Sequence, residues 1–320
     1  MMDTLSDVLR AVRLSGAVFF AVDASAPWVA ETPASQIVGP YIMPGAEHII
    51  AYHVIASGTC WGGLLDEPAV RLEAGDIIVF PQGDPHVISS APGMRGRPDL
   101  EAYRHVYESR TPLPVSLRGS AAQHEQVVCG YLGCDARPFN PLLSTLPRVM
   151  HLRPEGEADP LHRLVELAIA ESAAPRAGGE CVLSKLSELL FVEVVRRYVA
   201  ELPPEGVGWF AGLRDANIGR ALQRLHERPA QNWSLEELAK ESGLSRSVLA
   251  ERFAHLVGIP PMQYLAQWRI QLAASLLRAG KASLAEIAER VGYGSETALS
   301  RAFKRQVGVP PALYRRRDVA

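Results

Sequence analysis

Histidine and cysteine side chains in the first ninety residues are the groups best suited to metal or acid–base chemistry. The stretch GDIIVFPQGDPH, residues 75–86, runs from an apolar segment through a tight turn to His86, and AYHVIASGTCW, residues 51–61, contains His53 and Cys60. Imidazole and thiolate are zinc ligands, so His53, His86 and Cys60 form one hypothetical metal set. The spacing does not require it, because each predicted strand supplies a single histidine.

The favoured alternative is that these side chains are framework or line a binding pocket. The pocket candidates are His53, Cys60, Trp61 and His86. We therefore predict no catalytic residue, no bound metal and no cofactor, with a His53 and His86 metal site as the minority option.

Short strands must position these groups. Apolar segments at 17–22, 49–56, 76–80 and 126–132 are separated by clusters of glycine and proline such as APGMRGRP, residues 91–98. Regular short strands without intervening helices are typical of a β-sandwich or β-barrel. In the motif itself, Gly75 and Asp76 lead into a strand, Pro81 and Gly83 reverse the chain, and His86 opens the returning strand.

Composition and cysteine usage indicate the compartment. The chain has 320 residues, of which 48% are hydrophobic and 21% are charged, and no apolar run reaches the roughly 20 residues of a membrane helix. These features predict a cytoplasmic protein with no membrane partner. Cys60, Cys129, Cys134 and Cys181 form no zinc-binding pattern and are expected to be free thiols, with Cys60, Cys129 and Cys181 as redox candidates.

Charge is distributed unevenly along the chain. Residues 213–320 contain 17 Lys and Arg against 10 Asp and Glu, whereas the overall formal charge is −2. A basic C-terminal region favours a polyanionic partner. Upstream of it, apolar residues at spacings of three and four predict an amphipathic helix over 181–200, and ELPPEGVG, residues 201–208, indicates a linker over 201–212.

An internal repeat is the strongest signal in the sequence. SLEELAKESGLSRSVLAERF, residues 234–253, matches SLAEIAERVGYGSETALSRAF, residues 283–303, and GIPPMQY, residues 258–264, matches GVPPALY, residues 308–314. Each copy opens with a Ser-x-x-Glu capping box, and a glycine ends its first helix. This pattern is typical of a helix-turn-helix, whose second helix enters the major groove. A plain α-hairpin is the alternative for a single copy, but two copies in a basic region favour DNA binding.

The segment between the copies has a suitable length. Residues 261–279 form one amphipathic stretch, which as a helix would be about 28 Å long. Successive major-groove faces on one side of DNA lie about 34 Å apart. A rigid helix of this length would let both recognition helices reach adjacent grooves.

The C-terminal region resembles a known family. YLAQWRIQLAASLL, residues 264–277, and VGYGSETALSRAFKRQVGVPPALYRRR, residues 291–317, are similar to the DNA-binding domain of AraC/XylS-type transcription regulators, which implies seven helices with two helix-turn-helix units. The resemblance implies that the base-facing residues are Arg246, Ser247, Glu251, Glu296, Thr297 and Arg301. Phosphate contacts are expected from Ser245, Arg252, Ser295, Lys304 and Arg305. The predicted core residues are Ala239, Leu249, Trp268, Ala288, Leu299 and Phe303.

The N-terminal region resembles cupins. YHVIASGTCW, LEAGDIIVFPQGDPHVISS, VVCGYLGCD and NPLLSTLPRVMHL together are similar to the cupin-type domain of one branch of AraC-type regulators. The resemblance implies a jelly-roll barrel that senses a signal, followed by helices that mediate dimerisation, with residues 182–199 as the candidate dimer surface or, alternatively, a core helix. Some members of the branch sense oxidants through cysteines, and Cys60 and Cys129 match the family pattern.

The sequence therefore predicts an α+β protein of two domains. Residues 1–200 would form a cupin-like sensor and dimerisation domain, with the barrel at about 5–150 and helices at about 159–200. Residues 213–320 would form an all-α DNA-binding domain, with its helix-turn-helix units at about 235–253 and 284–305. The predicted function is sequence-specific transcription regulation by a homodimer that binds double-stranded DNA and a small molecule or oxidant, with RNA polymerase as a further partner of an activator. The alternatives are a cupin metalloenzyme with an appended DNA-binding module and an architectural DNA binder.

Overall fold

The computed structural model describes residues 3–101, 103, 113–122, 124–174, 176–203 and 205–317, with the backbone alone for residues 17–19, 316 and 317. The chain forms two compact units. The barrel unit comprises Leu14–Cys134 and Leu146–Tyr198. The helical unit comprises the residues up to Arg13, the segment Asp135–Thr145, and the chain from Val199 onward.

Two β-sheets build the barrel unit. One sheet contains β1 (Ser15–Ser25), β3 (His48–Ser57), β6 (Ile77–Phe80), β8 (Leu113–Arg118), β9 (His124–Cys134) and β10 (Met150–Leu152), in the order β10-β6-β3-β9-β1-β8. The other contains β2 (Val29–Thr32), β4 (Thr59–Leu64), β5 (Val70–Glu73) and β7 (His86–Ser89), in the order β2-β7-β4-β5. All four strand segments predicted from the sequence are confirmed as β1, β3, β6 and β9.

Side-chain burial follows from the position of each strand. Strand β3 lies inside its sheet and is buried on both faces, whereas the edge strand β8 alternates between half-buried and exposed residues. The apolar core includes Phe20, Ile55 and Leu72, which come from both sheets. The turn of the GDIIVFPQGDPH motif depends on Gly75 and Gly83, at φ +92° and +70°, where glycine is favoured.

Three helices whose limits fall within the described residues accompany the sheets: α2 (Ser35–Ile42), α3 (Pro160–Ala173) and α4 (Gly179–Glu201). Helix α4 confirms the amphipathic helix predicted at 181–200. Its residues Leu183, Leu186, Leu190 and Val194 are buried, while Val182 and Leu189 are 45% and 53% exposed. Most of the predicted dimer stripe therefore packs inside its own unit.

The helical unit contains nine helices in the part of the chain that is described. They are α1 (Thr4–Ala11), α5 (Trp209–Arg214), α6 (Ile218–Glu227), α7 (Leu235–Ser242), α8 (Arg246–Val257), α9 (Pro261–Ala279), α10 (Leu284–Val291), α11 (Glu296–Val307) and α12 (Pro311–Arg317). Helices α6–α12 are the seven helices that the family resemblance implies.

The structure differs from the predicted domain limits in two places. Helix α1 and the segment 135–145, both assigned from the sequence to residues 1–200, belong to the helical unit. The predicted linker 201–212 is folded in its second half, because Trp209 and Phe210 in α5 are buried and Trp209 Nε1 donates to Tyr264 Oη at 2.9 Å. Sequence patterns did not predict either feature, because both features depend on contacts between residues that are far apart in the chain.

Candidate nucleic-acid interface and barrel cavity

Capping boxes begin the first helix of each helix-turn-helix unit. Ser234 Oγ accepts from Glu237 N at 3.1 Å, and Glu237 Oε2 accepts from Ser234 N at 2.8 Å. Ser283 and Glu286 make the same two bonds at 3.2 and 2.7 Å. Both boxes predicted from the sequence are confirmed, and they fix where α7 and α10 begin.

Glycine ends each of these helices. Gly243 and Gly292 adopt left-handed conformations at φ +72° and +82° and start the turn to the recognition helices α8 and α11. A Cβ at Gly292 would also meet the backbone of Ala230 at 2.6 Å. Any larger residue at position 292 would therefore displace backbone as well as strain the turn.

The inner faces of the recognition helices are anchored by matching residues. Leu249 and Phe253 in α8, and Leu299 and Phe303 in α11, are all completely buried. The other core residues predicted from the sequence, Ala239, Trp268 and Ala288, are also buried.

The outer faces carry the predicted base-reading residues. All six are exposed: Arg246, Ser247, Glu251, Glu296, Thr297 and Arg301. Ser247 and Glu251 are separated by one helical turn, as are Thr297 and Arg301 at the matching positions of the second copy. The fold thus presents two short polar faces at the start of two recognition helices.

The predicted phosphate contacts are exposed but differ in their existing partners. Ser245 and Ser295 are N-caps, whose hydroxyls accept from Val248 N and Ala298 N. Arg252 is paired with Asp215. Within the described residues, Lys304 and Arg305 form no ion pair, which leaves their charges available to a phosphate.

An apolar residue on the first recognition helix was missed by the sequence analysis. Val248 is 44% exposed, directly after Ser247, and the matching position in α11 is the exposed Ala298. An exposed methyl group on a recognition helix suits contact with a thymine methyl. Alignment of the two copies, followed by comparison with the buried positions, would have revealed it.

A buried glutamine on α9 ties together the three parts of the helical unit. Gln271 is completely buried, its Nε2 donates to Ala11 O at 3.0 Å, and its Oε1 accepts from Phe139 N at 3.0 Å. Ala11 ends α1, and Phe139 lies in the segment 135–145. Helix α9 also joins the two helix-turn-helix units. The Gln271 side chain therefore connects this helix both to α1 and to the segment 135–145.

Replacing Gln271 with leucine is expected to lower the free energy of unfolding of the helical unit by about 1–3 kcal/mol. Leucine would leave the Phe139 N–H and the Ala11 carbonyl without a partner. Urea unfolding measures the change, and Gln263→Leu, on an exposed position of the same helix, is the control. Equal effects of the two substitutions would contradict a structural role for the Gln271 amide.

A cavity of about 210 Å³ opens inside the barrel unit. Its walls come from both sheets and are mainly apolar, with Phe20, Val22, Trp28, Ile88, Val115, Leu117 and Val127 among the lining residues. The polar and charged lining residues are Glu31, Thr32, His53, Arg97, Asp99, Tyr103, Cys129 and Tyr131. Tyr103 is hydrogen-bonded to Thr32 and to Tyr131, so a small cluster of hydroxyls faces the cavity.

His53 connects the cavity to the motif histidine. His53 Nδ1 lies 2.8 Å from Cys129 Sγ, and His53 Nε2 lies 2.9 Å from His86 Nε2. His86 Nδ1 is 2.9 Å from the carbonyl oxygen of Asp84, which can only accept, so Nδ1 carries the hydrogen. His86 Nε2 therefore accepts from His53 Nε2–H, and His53 Nδ1 accepts from the Cys129 thiol.

Burial keeps all three hydrogen-bonded side chains, Cys129, His53 and His86, neutral. It lowers the pKa of His53 well below its usual value and lowers that of His86 to about 4. It also raises the pKa of the Cys129 thiol. The result is a directed relay of hydrogen bonds, from Cys129 through His53 to His86.

The distance between the two histidines bears on the metal hypothesis. Two imidazole nitrogens bound to one tetrahedral zinc at about 2.05 Å each would be about 3.3 Å apart. The Nε2 atoms of His53 and His86 are 2.9 Å apart, which suits one shared hydrogen. In the described residues, no group of three or more His, Cys, Asp or Glu side chains is arranged to hold a metal ion.

The remaining sequence candidates lie elsewhere. Cys60, Trp61 and His86 do not line the cavity, although His86 reaches it through His53. Cys60 is buried, and burial raises its thiol pKa to about 12. Cys181 is exposed near the start of α4. The structure thus brings together His53, His86 and Cys129, and leaves Cys60, Trp61 and Cys181 outside this array.

Comparison with known proteins agrees with this architecture. The cupin family profile matches residues 3–200, and the helix-turn-helix domain profile matches residues 238–317. A putative AraC-like transcription regulator of Streptomyces lividans is 31% identical over 318 residues and covers 98% of each chain. The HTH-type transcriptional regulator AlkR of Acinetobacter baylyi is 28% identical over 320 residues, 99% of this chain and 100% of the relative. The DNA-binding domain of AdpA, solved with a target DNA, is 33% identical over 32% of this chain and 92% of that chain, with a TM-score of 0.31.

A cupin domain joined to paired helix-turn-helix units defines a DNA-binding transcription regulator. The chain belongs to the AraC family of such regulators, in the group with a cupin N-terminal domain. The relatives are named as regulators rather than enzymes. No helix in the described part of the chain combines the length and apolar character of a membrane span.

Proposed function

We propose that this regulator reads a two-part DNA site with α8 and α11, and that a small molecule in the barrel cavity changes its DNA occupancy. The observation that carries the proposal is the pair of exposed polar faces on two equivalently anchored recognition helices. The 19-residue helix α9 joins the two units, and its length of about 28 Å is of the same order as the roughly 34 Å between adjacent major grooves.

The two recognition helices differ at the position that should contribute most to specificity. Glu251 in α8 corresponds to Arg301 in α11. An arginine pairs with guanine through two hydrogen bonds, whereas a glutamate accepts from cytosine and is repelled by phosphate. We expect α11 to supply more of the affinity and α8 to contribute through Ser247 and the methyl groups of Val248.

Replacing Arg301 with alanine is expected to weaken binding to the matched DNA site by about 1–3 kcal/mol and to relax the preference at one base pair. Gel-shift titration against the matched site and single-base variants measures both effects. Lys304→Ala is the control, because a lost phosphate contact lowers binding to all sequences and reduces its salt dependence. If Arg301→Ala weakened binding to all DNA sequences equally, Arg301 would be a phosphate contact, as expected for Lys304.

The cavity limits the effector to a small molecule. Apolar cavities of about 150 Å³ hold benzene, so about 210 Å³ suits one ring or a short branched chain with few added atoms. The hydroxyls of Thr32, Tyr103 and Tyr131 favour a single polar group on such a ligand. Oxidation of Cys60, Cys129 or Cys181 is the alternative signal, and labelling of free thiols after oxidant treatment distinguishes it.

Continuity of the chain supplies a route from the cavity to DNA. Strand β9 contains Cys129 and ends at Cys134, and the segment 135–145 of the helical unit follows at once. Strand β1, which pairs with β9, follows directly after α1. A ligand that shifts β1 and β9 would thus act on the two segments that Gln271 holds against α9. Coupling of this kind is reciprocal, so DNA should change ligand affinity by the same factor.

The remaining partners follow from this mechanism. We propose a homodimer in which the exposed residues Val182 and Leu189 of α4 lie at the interface. Light scattering of the native chain and of Leu189→Lys tests it, since a charge at that interface should yield monomers. Mapping of bound sites relative to promoters separates an activator, which also contacts RNA polymerase, from a repressor.

A further inference from the structure

We propose that the barrel cavity captures small, mainly apolar electrophiles covalently, through addition of the Cys129 thiol to an α,β-unsaturated carbonyl compound. This inference names a ligand class for the proposed sensor cavity and therefore rests on that function. Three features of the cavity carry it: a thiol, a base aligned with that thiol, and a cluster of hydroxyl donors.

The nucleophile is the accessible thiol in the cavity. Cys129 is half-buried and lines the cavity, whereas Cys60 and Cys134 are buried and line none of it. Strand pairing places Cys129 directly opposite His53, so the 2.8 Å contact between Sγ and Nδ1 is set by backbone register. A thiol held against an unprotonated imidazole nitrogen is the arrangement that activates a cysteine.

Proton transfer is organised by the relay. Cys129 remains a thiol at rest, which protects it from unselective reaction, and His53 Nδ1 receives the proton only as the S–C bond forms. The hydrogen bond from His53 Nε2 to His86 Nε2 allows the positive charge to spread over both rings. General-base assistance of this kind contributes about 10²- to 10⁴-fold to a rate.

The addition balances without another reactant. Cys129 Sγ bonds to the β-carbon, the C=C electron pair moves toward the carbonyl oxygen, and the thiol proton passes to His53. The resulting enolate oxygen accepts hydrogen bonds from the hydroxyl cluster of Thr32, Tyr103 and Tyr131, as in an oxyanion hole. The proton then returns from His53 to the α-carbon, so that S–H has added across the double bond.

Cavity size and polarity select the electrophile. About 210 Å³ excludes bulky conjugates, and the apolar side chains of Phe20, Val22 and Val127 favour an electrophile with an apolar body. A ring-sized enone such as 2-cyclohexen-1-one fits both limits. Cyclohexanone has the same shape without the double bond, so it can enter the cavity but cannot add.

The test uses the full chain in a Cys181→Ser background, which removes the exposed thiol. With 2-cyclohexen-1-one, we expect a mass gain of one probe molecule, mapped to Cys129, and no gain with cyclohexanone. Cys129→Ser should abolish the adduct, and Cys60→Ser should retain it. Modification of other positions with Cys129 untouched would overturn the proposal.

The role of His53 is tested by rate. His53→Gln should slow adduct formation about 100-fold while circular dichroism and cyclohexanone binding, followed by quenching of Trp28, remain unchanged. His86→Gln, which removes only the second ring, should slow it less. An unchanged rate in folded His53→Gln would overturn the relay.

Covalent capture by Cys129 and DNA binding by the helical unit are measured separately. Gel shifts with the unreacted chain measure DNA binding independently of the adduct. An adduct at Cys129 that leaves the gel shift unchanged would confirm the capture site and would contradict its coupling to DNA binding. A ligand effect of cyclohexanone on DNA binding without any enone adduct would support sensing and overturn covalent capture.

Discussion

Replacing Phe303 with alanine is expected to lower the free energy of unfolding of the helical unit by about 3–5 kcal/mol and to abolish DNA binding. Phe303 is completely buried in α11, within an apolar cluster that includes Ile287, Leu299 and Tyr314. Its ring packs edge-on against Tyr314, with centroids 5.2 Å apart. Alanine would leave a cavity at the centre of the second helix-turn-helix unit, whose recognition helix has few other anchors.

Two substitutions separate this effect from recognition. Phe303→Leu keeps most of the volume and should cost less than about 1.5 kcal/mol. Arg301→Ala, on the opposite face of the same helix, should leave the free energy of unfolding unchanged while it weakens binding to the matched site and relaxes its sequence preference. Thermal unfolding and gel shifts on matched and unmatched DNA are the measurements. If Phe303→Ala weakened matched DNA alone, the residue would act in recognition and not in packing.

Acidification is expected to destabilise the helical unit strongly, through His226. Its ring is buried and stacks on Trp268 with centroids 4.2 Å apart. Trp209 Nε1 donates to Tyr264 Oη at 2.9 Å, and the Tyr264 hydroxyl lies 2.8 Å from His226 Nε2, to which it can donate when that nitrogen is unprotonated. Burial lowers the pKa of His226 to about 3.

The direction of the pH dependence follows from the difference between the pKa of His226 in the folded state and in the unfolded state. The pKa of a histidine in the unfolded state is about 6.5. Below that pH the unfolded chain therefore binds a proton at His226, whereas in the folded chain the buried ring stays neutral. The stability is fully present above pH 6.5 and is lost as the pH falls toward 3. Between pH 7 and pH 5 we expect a loss of about 2 kcal/mol from this residue.

Urea unfolding at pH 7 and pH 5, followed by tryptophan fluorescence, measures the loss. His226→Gln can still accept from Tyr264 but does not titrate, so its unfolding should depend less on pH by the same amount. In the barrel unit, His86 has a pKa lowered to about 4 and predicts a comparable loss over this range. Identical pH dependence of His226→Gln and the native chain would contradict a buried neutral His226.

Local patterns predicted the DNA-binding architecture well. The Ser-x-x-Glu boxes, the helix-ending glycines and the 3-and-4 apolar spacing are signals within a few residues, and the structure confirms each of them. The repeat then doubled every local signal, which is why α8 and α11 were located from the sequence. The exposure of Val248 was not predicted, because an apolar residue on a helix is usually expected to lie in the core.

The barrel was predictable as a fold but much less so as a site. The motif 75–86 indicated strand, turn and returning strand, and the structure confirms β6 and β7 there. The sequence ranked Cys60 and Trp61 with His53 and His86, whereas the structure puts Cys129 against His53. Strands β3 and β9 are far apart in the chain, and only their pairing register sets Cys129 opposite His53.

The sequence by itself therefore determined the family and the two helix-turn-helix units, and it predicted which residues face DNA. Tertiary structure alone decided the Cys129–His53–His86 relay, the cavity beside it and the placement of α1 and segment 135–145 with the DNA-binding helices. The physical reason is the range of the interactions. Caps, turns and amphipathic faces arise from neighbouring residues, whereas a strand register that slipped by one residue would turn His53 away from Cys129, and no local pattern records that choice.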